Sequence, residues 1–356
     1  MIFARTVCLW LVLATPAAAQ VDFAARKITL HVGFAAGQSA DMALTGDAAE
    51  GAGQRLTAEP TYDTAGRFYA THLPRFLQGV PAMESLLTPG AASLVAASRI
   101  AASASRGAID IAMLGPAALF AGVSGAGGGF NPSSLAWIGA RQGDDDVCLA
   151  REGAPVASMQ DALVKQSFAA ALTPGSRSAL YPRALNLLAG AKLKIISGYT
   201  SAFEVSRALE TGEADVWCGW SVASLRLRHP GLLREGKVRL LVQFSRSPVD
   251  ARLTIPLASE IAMPSENAQA MKALEGQTLF SGFALAVSSK TDSAIVQALR
   301  QGFAAMLRDP GVLAEAERLG IEINPVAGEA MQAEVDRLRD LAEPARGMLR
   351  QILRGP

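Results

Sequence analysis

Three histidines, two cysteines in the body of the chain and one acidic run are the side chains that could do chemistry. His31 reads as part of a strand, His72 as part of a helix, and His229 stands before Pro230 at a helix end. No two are four residues apart, the spacing that sets two imidazoles on one helix face for zinc. Asp144, Asp145 and Asp146 lack the alternating oxygen spacing of a calcium loop and read as a solvated acidic turn. A nucleophilic serine on an elbow needs GxSxG. The stretch "GQSAD" at 37–41 has the serine without the second glycine. Cys148 and Cys218 form no CxxC pair, and no base is nominated beside either. "GAGGGF" at 125–130 fails the GxGxxG pattern, and GxxxxGK[ST] does not occur. The expectation is a protein without metal, cofactor or catalytic constellation, and not an enzyme. An exported hydrolase or lyase would need a convergent nucleophile and base, which the scattered histidines do not supply.

The chain does offer small-residue loops at the ends of predicted strands: 34–38, 88–93, 115–116, 173–178, 198–201 and 219–221. Several run straight into helix starts, where free N–H groups and the helix dipole attract anions. "LTPGSRSALYP" shows it best. Pro174-Gly175 makes the turn, Ser176 and Ser178 bring hydroxyls, and Arg177 brings a charge. Any one such loop is also what an ordinary capped helix needs. Six of them make binding of a small anion the stronger reading.

The elements that must position these loops alternate between strand and helix. Ile28–Phe34 reads as a strand running into a loop, and 37–61 as an irregular Gly- and Ala-rich insertion. Asp63 opens a helix whose apolar face includes Phe68 and Leu73. Strands are expected at Met83–Leu87, Ile109–Leu114, Leu135–Ala140, Val147–Ala150, 168–172, 192–197, Ala214–Cys218, Val238–Phe244 and Gly282–Ser288. Helices are expected near 93–103, 158–164, 178–189, 310–319 and 328–353. A Gly-rich loop is expected over 122–132. Asp292 or Thr291 caps a helix with Ile295, Val296, Leu299, Phe303, Met306 and Leu307 on one face. Such alternation predicts parallel, doubly wound sheets. Open α/β sheets bind ligands at the carboxyl ends of their strands.

"MIFARTVCLWLVLATPAAAQ" has one cation, a short apolar run and Ala17-Ala18-Ala19 before Gln20. It reads as a cleaved export signal over 1–19 and not as a membrane span. Cleavage would remove Arg5 and take the formal charge from +1 to zero, which argues against nucleic acid or an anionic membrane as partner. About 340 remaining residues are too many for one core and predict two lobes. In an oxidising compartment Cys148 and Cys218 would form either a disulfide or two buried thiols.

The order and spacing of several segments resemble the periplasmic substrate-binding receptors of tripartite tricarboxylate transporters, the Bug-type family. They are "VGFAAG", "TPGAASL", "WIGA" followed by "VCLA", "LNLLAG", "SGYTSAFEV", "RALETGEADVWCGWS", "GKVRLLVQ" and "RDPGVLAEAERLGIEINPVAGEAM". The resemblance implies an α/β, two-lobed periplasmic binding protein, type II-like, with a mainly parallel sheet in each lobe and a cleft between them. Lobe 1 would comprise 20–143 and 244–356, and lobe 2 would comprise 144–243. It implies a small carboxylate ligand, the membrane components of such a transporter as partners, a periplasmic location and a monomer. A sensory or orphan receptor that presents its ligand to a membrane signalling protein is the alternative. Both cysteines fall in matching segments, which supports a Cys148–Cys218 bridge.

The implied ligand-binding residues are Phe34, Ala35, Ala36, Gly37 and Gln38 in the first loop and Tyr62 and Asp63 at the helix start. Pro89, Gly90, Ala91, Ser93 and Gly115 follow in lobe 1. Lobe 2 supplies Pro174, Gly175, Ser176, Arg177, Ser178, Tyr199, Thr200, Trp220 and Ser221. Two placements compete for the family's Tyr-Asp helix start, one ending at Asp41 and one at Tyr62-Asp63. The helix pattern after Asp63 favours the second and makes 38–61 an insertion. Arg177 departs from the family pattern and is expected either to bond a ligand carboxylate or to sit solvated on its helix start.

Overall fold

The structure is a computed structural model. It describes residues 21–36, 61–103, 107–125, 127–141, 145–172, 176–199, 202–222, 225–226, 230–250 and 252–354. The export signal, nearly all of the insertion, Gly37, Gln38, Pro174, Gly175 and Thr200 therefore lie outside the described residues.

The described residues form eleven strands, β1 (Lys27–Val32), β2 (Ala82–Leu87), β3 (Ile109–Leu114), β4 (Leu135–Ala140), β5 (Asp146–Arg151), β6 (Ser167–Ala171), β7 (Leu193–Ser197), β8 (Val216–Ser221), β9 (Val238–Phe244), β10 (Ala284–Ser288) and β11 (Val326–Ala327). They form a six-stranded sheet, β11-β4-β10-β3-β1-β2, and a five-stranded sheet, β7-β6-β8-β5-β9. β1 pairs parallel with β2 and β3, and β6 pairs parallel with β7 and β8. The remaining ladders are antiparallel. Both sheets are thus mixed: β4 and β9, which leave a sheet through the crossings, run with the loop-bearing strands, and β5 and β10, which enter one, run against them.

Alternation in β1 buries Ile28, Leu30 and Val32 in a core shared with Phe68, Tyr69, Leu299 and Phe303. The predicted apolar stripe after Asp292 forms the helix Ser293–Met306, with Asp292 Oδ1 accepting from Ala294 N–H at 2.8 Å. The helix expected over 328–353 is two, Gly328–Arg339 and Glu343–Arg354. Pro344 lacks an N–H donor and its ring would clash with the carbonyl four residues back, so it is tolerated only in the first turn of the second helix and one helix cannot run through it. Pro116 opens the helix Pro116–Ser124, which enters the stretch predicted as a Gly-rich loop. Gly125, at φ 79°, ends it.

Cys148 and Cys218 stand opposite each other across β5 and β8 and are disulfide-bonded, 70 residues apart in sequence. The expected bridge lies inside the five-stranded sheet.

The two sheets share packing through a helical layer. Helix Arg177–Ala189 contacts helices Ser265–Gly276 and Glu343–Arg354, and the latter also contacts Pro116–Ser124. Within this layer Glu275 is 3% exposed and accepts Ser259 N–H at 2.7 Å. Burial raises its carboxyl to about 7, against the hydrogen bond from Ser259. A raised folded-state value means the folded chain holds the proton more tightly. The associated stability is full below the ordinary glutamate value and is lost as pH rises through about 7. Glu275→Gln is therefore expected to raise stability by up to about 3 kcal/mol above that range and to change little at acidic pH. Urea unfolding at both pH values measures this, and equal effects at both would refute it.

Candidate ligand-binding site

Strand directions decide which loops meet. β1, β2 and β3 are parallel, so the residues after Val32, Leu87 and Leu114 emerge at one edge of the first sheet. β10 starts and β4 ends at that edge, bringing Phe283 and Arg141 there. In the second sheet β6, β7 and β8 end together, beside the start of β5 at Asp146 and the end of β9 at Phe244. The two chain crossings leave from these same edges, after Ala140 and after Phe244. In each sheet the described strand ends that precede these loops therefore lie at the edge from which a crossing leaves.

On the first sheet, Phe34 stacks on Tyr62 with ring centroids 3.7 Å apart. Tyr62 meets Phe283 edge-on at 4.7 Å, and the Arg141 guanidinium lies 4.6 Å from the Phe283 centroid. Gly115 backs this cluster: a Cβ there would lie 2.7 Å from Phe34 and 3.0 Å from the Tyr62 hydroxyl. The helix does begin at Tyr62, with Thr61 as its N-cap. Asp63 accepts from Thr61 Oγ1 at 2.6 Å and pairs with Arg67 at 2.9 Å. Tyr62 itself is 2% exposed, a wall beneath Phe34. Ala35 and Ala36 are exposed beside it.

The loop after β2 is strained. Ala91, Ala92 and Ser93 follow Gly90 at φ 45°, 50° and 74°, three non-glycine residues in the left-handed region. Each costs roughly 1–2 kcal/mol, and such strain persists where the surroundings over-determine it. Ser93 Oγ accepts Gly115 N–H at 3.1 Å and is buried, while Pro89, Ala91 and Ala92 are exposed. Gly33 leaves the room: its Cβ would fall 2.4 Å from that of Ser93.

On the second sheet, Ser178 is buried. It receives Leu172 N–H at 3.1 Å and meets Ser176 Oγ at 2.8 Å, closing the turn before the helix Arg177–Ala189. Tyr199 donates to Glu213 at 2.9 Å. Burial and that carboxylate raise its phenol to about 12. The strand expected to stop at Gly219 continues to Ser221. Gly219, at φ 95°, sits where the register with β5 shifts between Val147 and Cys148. It acts as a bulge that re-aims the chain without ending the ladder. Trp220 is thereby half-buried, edge-on to Trp217 at 4.5 Å, and Ser221 pairs with Asp146.

Asp146 is the largest correction. Expected in a solvated turn, it is fully buried at the start of β5. Arg177 Nη1 lies 2.9 Å from both of its oxygens, and the Tyr181 hydroxyl donates to Oδ2 at 2.5 Å. Burial first, and the Asp146 charge second, hold the Tyr181 phenol well above its usual range, so it remains a donor. Gln277 Nε2 donates to the Tyr181 oxygen at 3.1 Å, and Arg177 reaches Ser281 Oγ at 3.5 Å. Arg177 is therefore not a solvated cation: it pairs with the chain's own Asp146, at the junction of the two sheets. Asp146, Tyr181, Arg141 and Phe283 carry no local sequence signal of this role, because each acts through a partner far along the chain.

No protein-family model matches this chain, and no curated protein does. Solved structures resemble it in fold. One is a TctC solute binding protein from Polaromonas, 17% identical, covering 91% of this chain and 98% of that one, TM-score 0.62. Another is an R. palustris protein with adipate, 18% identical, covering 91% and 98%, TM-score 0.51. A third is MatC from Rhodopseudomonas palustris with bound malate, 17% identical, covering 89% and 98%, TM-score 0.51. The fold is that of a periplasmic binding protein, two mixed sheets flanked by helices, with TctC-type proteins among its structural neighbours.

Proposed function

We propose that this protein is a periplasmic solute-binding receptor. It captures a small organic acid between lobe 2 at 144–243 and lobe 1, formed by 20–143 and 244–356. It then hands that acid to the membrane components of a tripartite tricarboxylate-type transporter. The observation that supports the reading is that in each sheet the strand-end loops gather at the edge from which a chain crossing leaves. The adipate and malate bound by two neighbours of like fold support a carboxylate as the ligand class. On this reading Phe34, Ala35, Ala36, Pro89, Gly90 and Ala91 form one wall, over Tyr62 and Gly115. Ser176, Tyr199, Trp220 and Ser221 form the other. Binding proceeds without turnover, and closure bends the crossings. Presentation to a membrane signalling protein would use the same site.

A thermal-shift screen of the chain from Gln20 against mono-, di- and tricarboxylates tests the reading. A ligand at a hundred times its dissociation constant should add about 2.7 kcal/mol of stability. A shift confined to one class of acid supports the receptor. No shift with any acid overturns it, and turnover of a bound acid revives the hydrolase.

A further inference from the structure

His31 lies beneath this site and belongs to none of the interactions above. It is 2% exposed, on the face of β1 opposite Ile28, Leu30 and Val32. Its Nε2 is 3.2 Å from Asp110 Oδ1 on β3, and its Nδ1 is 3.1 Å from Thr88 Oγ1. Asp110 also accepts from Ser103 Oγ at 3.0 Å. A carboxylate only accepts, so Nε2 carries a hydrogen. In the neutral ring Nδ1 then holds a lone pair, and the Thr88 hydroxyl must donate to it. In the imidazolium Nδ1 also carries a hydrogen, Thr88 must accept, and its own hydroxyl hydrogen turns away from the ring.

Thr88 stands where that reversal matters. Its N–H donates to Val32 O at 2.7 Å, which pins it at the top of the β1–β2 ladder, and it is half-buried. Pro89 and Gly90 of the strained loop follow at once. The geometry points to Thr88 as a further ligand contact, a hydrogen-bond donor to a carboxylate only when His31 is protonated, with Asp110 fixing the ring. This rests on the receptor reading above. Among the described residues, the other charges on the elements packed here are Glu84 on β2, paired to Lys27 of β1 at 2.8 Å, and Arg99 on the helix Leu94–Ala102, which packs against β3. Glu84 favours the protonated ring and is largely met by Lys27. Neither hydrogen-bonds the imidazole, so the polarity of Thr88 follows His31 and Asp110.

Calorimetric titration with malate and with adipate at about pH 8 and about pH 5.5 tests this. Affinity of the wild type should rise about tenfold on acidification, as expected for gaining one hydrogen bond to a charged group. Thr88→Val should lose that rise, and Thr88→Ser, which keeps the hydroxyl, should restore it. Protonation of the ligand itself acts on all three proteins alike. Equal pH dependence in the wild type and Thr88→Val would overturn the inference. If neither acid binds the wild type, the receptor reading is what has failed for these ligands. The inference is then decided by nitrogen-15 NMR of the imidazole. A neutral His31 with its hydrogen on Nε2, and an Nδ1 resonance that moves on Thr88→Val, agrees with it. A hydrogen on Nδ1 rejects it.

Discussion

Arg177→Met should destabilise the protein by about 3–5 kcal/mol, the usual cost of removing one partner of a buried ion pair. Asp146 has no exposed surface, and both of its oxygens face Arg177 Nη1. Without the guanidinium the buried carboxylate loses the cation that faces both its oxygens, while the Tyr181 hydrogen bond remains, so its burial becomes more costly. Adding Asp146→Asn to Arg177→Met should recover part of the loss, since an amide needs no countercharge. Urea unfolding of the two single variants and the double variant measures the coupling. The result also separates two roles for Arg177. If it mainly holds Asp146, the losses are in stability, and a folded Arg177→Met at low temperature keeps its ligand affinity. If it reaches a ligand carboxylate, affinity falls while stability changes little. Wild-type stability in Arg177→Met would contradict the buried pair outright.

Reduction of Cys148–Cys218 carries the second large effect. The bridge closes a loop of 70 residues that contains β6, β7 and the helices Met159–Val164, Arg177–Ala189 and Ala202–Thr211. In the chain-entropy model, closing such a loop restricts the unfolded chain by ~4 kcal/mol. Both cysteines are fully buried between sheet neighbours, so the folded state should need no rearrangement once reduced. Reductant should lower the urea midpoint of the wild type clearly and leave that of Cys148→Ala/Cys218→Ala untouched. A wild-type midpoint insensitive to reductant, with the bond shown broken by thiol counting, would show that the bridge adds nothing to stability.

Much of the fold is legible along the chain because it is written in short-range patterns. Alternation at Ile28, Leu30 and Val32 marks a strand with one core face, and the stripe from Ile295 to Met306 marks a helix packed on it. Asp292, Pro116 and the Tyr62 helix start are local signals as well. The positions of the strand-end loops follow from these, and with them the candidate site in outline. Where local reading failed, one residue usually explains it. Gly219 looks like a strand terminator and is a bulge, since only the partner strand shows that the ladder resumes. Pro344 divides a helix whose apolar period alone continues across it.

What the sequence determined by itself is therefore most of the strands, many of the helices, the α/β class and the loops from which a site can be built. The tertiary structure alone decided strand direction and partnership. It made both sheets mixed, put Asp146 under Arg177 and Tyr181 from 31 and 35 residues away, and set His31 between Thr88 and Asp110. The reason is one of range. Backbone propensity and amphipathic period act over a few residues and leave a mark there. A buried charge is stabilised by whichever side chain the packing brings within hydrogen-bond distance, and separation along the chain does not record that.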